Sequence, residues 1–204
     1  GLRAARVRQA GFFLNPGNIR APQAAAAEGR IARYVRAGHV IANHSATHPR
    51  LSATAAEDYL ANIDRAETWL HGRPGRRPWF RFPFLDEGRA DKARRDAVRA
   101  GLAARGLRNG YVTVDGYDWH IDALAAEAWR RDGRLNLIGL RGLYVDTHVG
   151  AAEFYDALMV RAIGRSPAHV MLLHENDMAA MFVDDLVAEL RARGWRIISV
   201  DEAY

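Results

Sequence analysis

Two histidines stand four residues apart in the stretch VIANHSATHPRL, His44 and His48, between an apolar run and a proline. Neutral imidazoles bind zinc and similar cations, and an i, i+4 pair on a helix would bring both rings to one ion. Pro49 opposes that helix. Its ring disfavours the α region for His48, so the pair is expected on a loop or tight turn. Spacing alone leaves a second reading open, two polar residues on an exposed loop, because two ligands do not fill a coordination shell. The chain has no His-Glu-x-x-His, which disfavours a zinc protease of that type.

Other chemistry-bearing residues lie at similar places in the pattern. RFPF contains Arg81, Pro83 and Phe84, DGYDW contains Asp115, Asp118 and Trp119, and HVMLLHEND contains Leu172, His174 and Asn176. A histidine after an apolar run can serve as a general acid or simply end a core strand. An arginine and an aspartate can form a plain surface pair, worth about 0–1 kcal/mol. A Trp and a Leu can be ordinary core.

The elements that must position these residues alternate. Strand candidates are 10–14, 39–43, 79–82, 111–114, 169–173 and 195–200, and helical periodicity covers 22–37, 55–70, 90–105, 121–131, 151–164 and 183–193. Thr54 with Glu57 three positions on predicts a capping box. Gly38, Gly72, Gly106 and Gly194 fall where helices should end. This alternation predicts an α/β fold of parallel βαβ units, a barrel or doubly wound sheet, in one domain without internal repeats. Active groups in such folds sit on loops at the carboxyl ends of strands. His44 and His48, Arg81 to Phe84, Asp115 to Trp119, and His174 each follow a strand candidate.

Composition excludes several classes. There is no cysteine among the 204 residues, so disulfides, thiolate zinc sites and a cysteine nucleophile are ruled out. The net charge of +5 and pI near 9.9 come from arginines spread through helices with interleaved acids, as in DKARRDAVRAGLAARG. That reads as solvated helix faces and not as a nucleic-acid surface. Apolar runs are strand-sized, far below the ~20 residues a membrane span needs. No charged-then-apolar leader is visible, although the chain begins mid-pattern. His39, His71, His120 and His169 take structural readings, and His148 is expected on a loop.

Taken together, these segments resemble the polysaccharide deacetylase (NodB-homology) superfamily. HSATHP is similar to its metal-binding histidine motif, GFFLNPG to the strand before it, RFPF to the arginine-proline-aromatic motif, DGYDW to Asp-x-x-Asp-Trp, and LLH to the Leu-x-His motif. The closing RGWRIISVDEAY resembles the family's last helix, strand and turn. FRFPFLDEG and LLHEND look like a bacterial branch, in which Asn176 would lie near the site. The resemblance implies a distorted (β/α) barrel and a hydrolase that removes acetyl groups from an N- or O-acetylated carbohydrate. It implies a divalent cation, usually zinc, on His44 and His48. His174 would be the acid, Asp118 its holder, and Arg81 a support for the catalytic carboxylate. Trp119 and Leu172 would line the acetyl slot with Pro83 and Phe84, and the Phe84 N–H would face the oxyanion. Family habit places such enzymes in the periplasm or outside the cell. The resemblance gives no oligomeric state.

One family motif has no counterpart. Thr-Phe-Asp-Asp-Gly, which carries the catalytic base and the third protein ligand, should precede GFF, and only ten residues precede Gly11. The expectation is that this motif and the first strand lie upstream of Gly1. Two other readings are a catalytically silent variant that still binds carbohydrate, and a stand-in carboxylate at Asp86 or Glu87.

Overall fold

The computed structural model describes residues 1–20 and 24–204. The chain forms two compact units, Gln9–Tyr111 and Gly1–Arg8 with Val112–Tyr204.

In the Gln9–Tyr111 unit, strands β1 (Gly11–Leu14), β2 (Val40–Asn43), β3 (Arg76–Phe80) and β4 (Arg108–Asn109) form one sheet in sequence order. All neighbours are parallel. Helices α1 (Ala24–Arg36), α2 (Ala56–Leu70) and α3 (Lys92–Ala104) connect them. β2 is buried at all four residues, which is why Val40, Ile41 and Ala42 read as a continuous apolar run and not as an alternation. Leu51, Tyr59, Ile63, Phe80, Phe82, Val98, Leu102 and Leu107 pack as one core, and Ile31, Ile41 and Leu70 as another.

The glycine punctuation holds: Gly38, Gly72, Gly106 and Gly194 all have positive φ at helix ends. At Gly106 (φ 66°), the Leu107 N–H reaches the Leu102 carbonyl at 2.9 Å and the Gly106 N–H reaches Ala103 at 3.0 Å, closing α3. The capping box does not form. Ala55 occupies the N-cap of α2 without a side-chain bond, and the Thr54 hydroxyl donates to the Arg50 carbonyl at 2.8 Å. The preceding 3-10 turn, Leu51–Ala53, offers Thr54 that carbonyl and draws its side chain away from the helix. The strand expected at 79–82 lies at Arg76–Phe80 instead. Pro83 has no N–H for a ladder and opens a 3-10 turn, Pro83–Leu85, so the chain leaves the sheet before it. Of the helix expected at 22–37, residues 22 and 23 lie outside the described residues.

The other unit contains β5 (Val114–Asp115), α4 (Asp118–Asp132), α5 (Leu137–Ile163), β6 (Met171–Leu172), α6 (Asp177–Ala192) and α7 (Val200–Ala203). β5 and β6 pair in parallel, Val114 with Met171 and Asp115 with Leu172. These ladders are shorter than the expected strands at 111–114 and 169–173. The expected strand at 195–200 is absent: Trp195 and Ile197 pack on the core without a ladder, and Val200 starts a turn of helix capped by Ser199. Helix α5 runs 27 residues, not the 14 of 151–164. Gly139, Gly142 and Gly150 lie inside it, at roughly 1 kcal/mol each in a helix. Packing against α4, α6 and β5 overrides that cost. His148, expected on a loop, is therefore a fully buried helical residue.

Candidate functional site

The loop after β2 is built from side-chain amides. The Asn43 side chain is buried. Its Nδ2 donates to the Ile63 carbonyl (3.1 Å) and to Glu67 Oε1 (2.8 Å), while its Oδ1 accepts the Ser45 N–H at 2.7 Å. Asn62 of α2 accepts from the N–H groups of Ala46 (2.8 Å) and Thr47 (3.1 Å). Asn15 donates to the carbonyls of His44 and Ser45. Ser45 and His48 hold φ of 63° and 60°, and Ser45 Oγ accepts the His48 N–H at 3.0 Å. Left-handed backbone at non-glycine residues costs of order 1–3 kcal/mol and persists only where surroundings enforce it. Here the asparagines do so.

This clamp sets the two imidazoles. His44 Nδ1 lies 2.8 Å from the Arg81 carbonyl oxygen. A carbonyl can only accept, so Nδ1 carries the hydrogen and Nε2 is the lone-pair nitrogen, the arrangement a metal-binding histidine needs. The Nε2 atoms of His44 and His48 are 3.2 Å apart. Two ligands at ~2.0–2.1 Å on a tetrahedral cation sit about 3.3 Å apart, so the pair fits one ion. Among the described residues no group of three or more His, Cys, Asp or Glu side chains could hold a metal ion.

Neighbouring residues brace the pair. Buried Arg81 donates through Nε to the Gly110 carbonyl at 2.9 Å, and its guanidinium lies 3.8 Å above the Phe13 ring. Its own N–H reaches the Asn43 carbonyl at 3.0 Å. Pro83 is buried, and Phe84 sits at φ 58° with half its surface exposed. The Phe84 ring contacts His48 at 4.5 Å between centroids, and the Arg50 guanidinium lies 3.7 Å above it.

The two suggested stand-in carboxylates are engaged elsewhere. Asp86 is buried and accepts the Ser52 N–H (2.9 Å), the Ser52 hydroxyl (2.6 Å) and the Gly88 N–H (3.0 Å). Burial pushes its carboxyl up, but these bonds and the Arg89 charge bring it below the usual value. Glu87 accepts from Arg99 and from Asn109.

The Val112–Tyr204 segment carries the second group of residues. Asp118, fully buried, is the first residue of α4. Its Oδ1 lies 2.7 Å from His174 Nδ1, and its Oδ2 accepts the His174 N–H at 2.6 Å and the Asn176 amide at 3.1 Å. Burial alone would raise the Asp118 pKa, but these bonds and the imidazole charge hold it below its ordinary value. Asp118 is thus an anion that fixes the ring of half-exposed His174. Asn176 also caps α6 through the Ala179 N–H at 2.8 Å. Trp119 is 49% exposed, so it is not core, and Leu172 is half-buried on β6.

His148 lies in the same unit. Its Nδ1 donates to the Tyr144 carbonyl at 2.6 Å, and its Nε2 is buried with no partner among the described residues. Burial lowers its pKa against the opposing pull of Asp118 and Asp115, so the ring stays neutral. Sequence reading missed His148 and the three clamping asparagines. Asn43 could have been found as a polar residue closing a buried apolar run, whereas nothing marks Asn62 within its helix.

The polysaccharide deacetylase family profile matches residues 2–104, and the chain belongs to that family. No curated protein sequence matches it. A family 4 carbohydrate esterase from Streptomyces lividans, solved with acetate, is similar at 23% identity and a TM-score of 0.61, covering 99% of this chain and 84% of its own. The chitin deacetylase of the fungal pathogen Colletotrichum lindemuthianum matches at 20% identity and 0.66, covering 99% and 77%. A family 4 pseudoenzyme from Bacillus anthracis matches at 18% and 0.64, covering 99% and 57%. The parallel α/β fold expected from the sequence is the one these structures share.

Proposed function

We propose that this protein is a metal-dependent hydrolase that removes acetyl groups from an N- or O-acetylated carbohydrate. Residues 1–204 serve it as one catalytic domain, and the enzyme works outside the cytoplasm. The observation that carries the reading is the 3.2 Å spacing of the His44 and His48 Nε2 atoms, with the His44 tautomer set by the Arg81 carbonyl. A divalent cation such as zinc, when bound there, supplies Lewis acidity to the acetyl carbonyl and a bound water acidified towards pKa ~7.

The chain's own residues do the rest. His174, oriented by Asp118, gives its proton to the leaving amine or sugar oxygen. The Phe84 N–H donates to the developing oxyanion. Trp119 and Leu172 receive the acetyl methyl, Pro83 shapes the turn beneath Phe84, and Arg81 orients a carboxylate. The base and third ligand are the part that the family's Asp-Asp motif supplies.

The lack of a third ligand among the described residues favours a second reading, a carbohydrate-binding pseudoenzyme. Acetate release from acetylated chito-oligosaccharides and acetylated xylan, with added zinc, separates the two. The assay uses this chain and any longer product its gene encodes. The enzyme reading expects zinc-stimulated release that His44→Ala abolishes. Glycan binding without acetate from any acetylated sugar or small ester sinks it in favour of the second reading.

A further inference from the structure

Beside the histidine pair, a groove of about 430 Å³ is lined by Arg50, Arg89, Arg95, Arg99, Asp86, Glu87, Phe84 and Leu85. We propose that this groove binds an anionic substituent, a carboxylate or phosphate ester, on the acetylated glycan, and so selects charged over neutral chains. The proposal rests on the deacetylase reading for the word glycan, but the charge of the groove stands on its own geometry.

The lining holds two more cationic than anionic side chains, and both anions are committed. Asp86 is enclosed by Ser52 and Gly88, and Glu87 accepts Arg99 through both Nε and Nη2. Arg95 pairs with Asp96, outside the groove lining. That leaves Arg50 and Arg89, both exposed, without a hydrogen-bonded carboxylate among the described residues, Arg89 acting on Asp86 only through its charge. Arg50 lies face-on over Phe84. A stacked guanidinium keeps its in-plane N–H donors pointing outward, in the fork that matches carboxylate or phosphate oxygens. The same Phe84 ring contacts His48, with 4.5 Å between centroids. The Phe84 ring is therefore a bridge of one side chain between the cation-binding pair and the anion-binding arginines, and it places the charged substituent next to the acetyl group. Exposed charges attract a mobile partner weakly, so the preference must weaken with salt.

Binding without turnover tests this. The His174→Ala protein is titrated calorimetrically with three tetrasaccharides of equal length: neutral N-acetylglucosamine, N-acetylglucosamine alternating with glucuronic acid, and a 6-phosphorylated form. One or both charged chains are expected to bind about tenfold more tightly at low salt, the better one identifying the natural anion. Arg50→Ala and Arg89→Ala should each reduce that ratio, Arg50→Lys should keep part of it, and raised salt should shrink it. Equal binding of all three chains, or a preference that survives in the double alanine variant, overturns the proposal. The two readings fail separately: charge preference without acetate release by the wild-type protein removes only the enzyme, and release without preference removes only the anion site. Circular dichroism of each variant excludes loss of fold as the cause.

Discussion

Asp118 holds His174 at two points, Oδ1 at 2.7 Å from the ring Nδ1 and Oδ2 at 2.6 Å from the backbone N–H. The double grip fixes both where the ring sits and which way it turns, leaving Nε2 as the edge that can present a proton. Asp118→Asn would face an amide N–H₂ or a single oxygen to groups that both donate. It is expected to lower kcat by about 10–100-fold with little change in KM, the range seen when a group orienting a functional histidine is lost. His174→Ala should cost about 10²–10⁴-fold. Steady-state kinetics on an acetylated oligosaccharide check both, and full kcat in Asp118→Asn would reduce the pair to a structural contact.

The histidine pair predicts weak, removable metal. Two nitrogens at 3.2 Å define the site, and no third described side chain joins them. Zinc should therefore bind near one equivalent, be stripped readily by a chelator, and bind less tightly at acid pH as the imidazoles protonate. Elemental analysis after dialysis reads this without any activity assay. His44→Ala and His48→Ala should each lower zinc content to background, whereas retention in both would place the ion elsewhere.

Two buried groups set the acid limit of stability. The folded pKa of Asp118 is depressed below its ordinary value of 3.8, so its contribution is complete above that pH and disappears as pH falls through the lower folded value. The His148 pKa is depressed from 6.5 by burial. Between its folded value and 6.5 the unfolded chain binds the extra proton, so stability falls as pH drops through that window, by at most about 1.4 kcal/mol per pH unit. His39 is lowered by burial too. Denaturant midpoints measured from pH 7.5 to 4 should decline below 6.5, and His148→Leu should flatten that decline in part, His39 accounting for the remainder. An unchanged slope would show that His148 does not titrate on unfolding.

Legibility followed the reach of the interactions involved. VIAN was readable because burial on both faces of a parallel sheet leaves a run of apolar residues in the sequence, and GFFL, half-buried at all four residues, because it is a short apolar run as well. The loop placement of His44, His48 and His174 was readable because Pro49 and the ends of apolar runs mark loops, whereas Asp118 opens helix α4. Helix α5 was not, since Gly142 and Gly150 argue locally for a break that packing at the level of the unit overrules. The segment from Trp195 failed for the opposite reason: its strand-like pattern buries side chains but has no ladder to join. Within the asparagine clamp, Asn62 could not be foreseen, because it is 18 residues from His44 in sequence and meets the loop only after α2 has packed.

The closest test of how the fold sets the chemistry lies at Gly116. A Cβ built there would fall 2.5 Å from Cδ2, 2.8 Å from Cγ and 2.9 Å from Nε2 of His148. The ring cannot swing aside, because it is fully buried, bonded to the Tyr144 carbonyl at 2.6 Å and packed on the Tyr144 ring at 4.3 Å. Gly116→Ala must therefore push the turn outward or strain the core, at about 1–3 kcal/mol. That turn leads through Tyr117, held at φ 55°, directly into Asp118, so kcat should fall together with stability. Removing the obstacle distinguishes this cause from a general defect. In Gly116→Ala combined with His148→Ala the methyl has room, so the double variant should lose less than the two singles predict, with a coupling of about 0.5–3 kcal/mol. Strict additivity in denaturant unfolding would mean that His148 does not support the turn that carries Asp118.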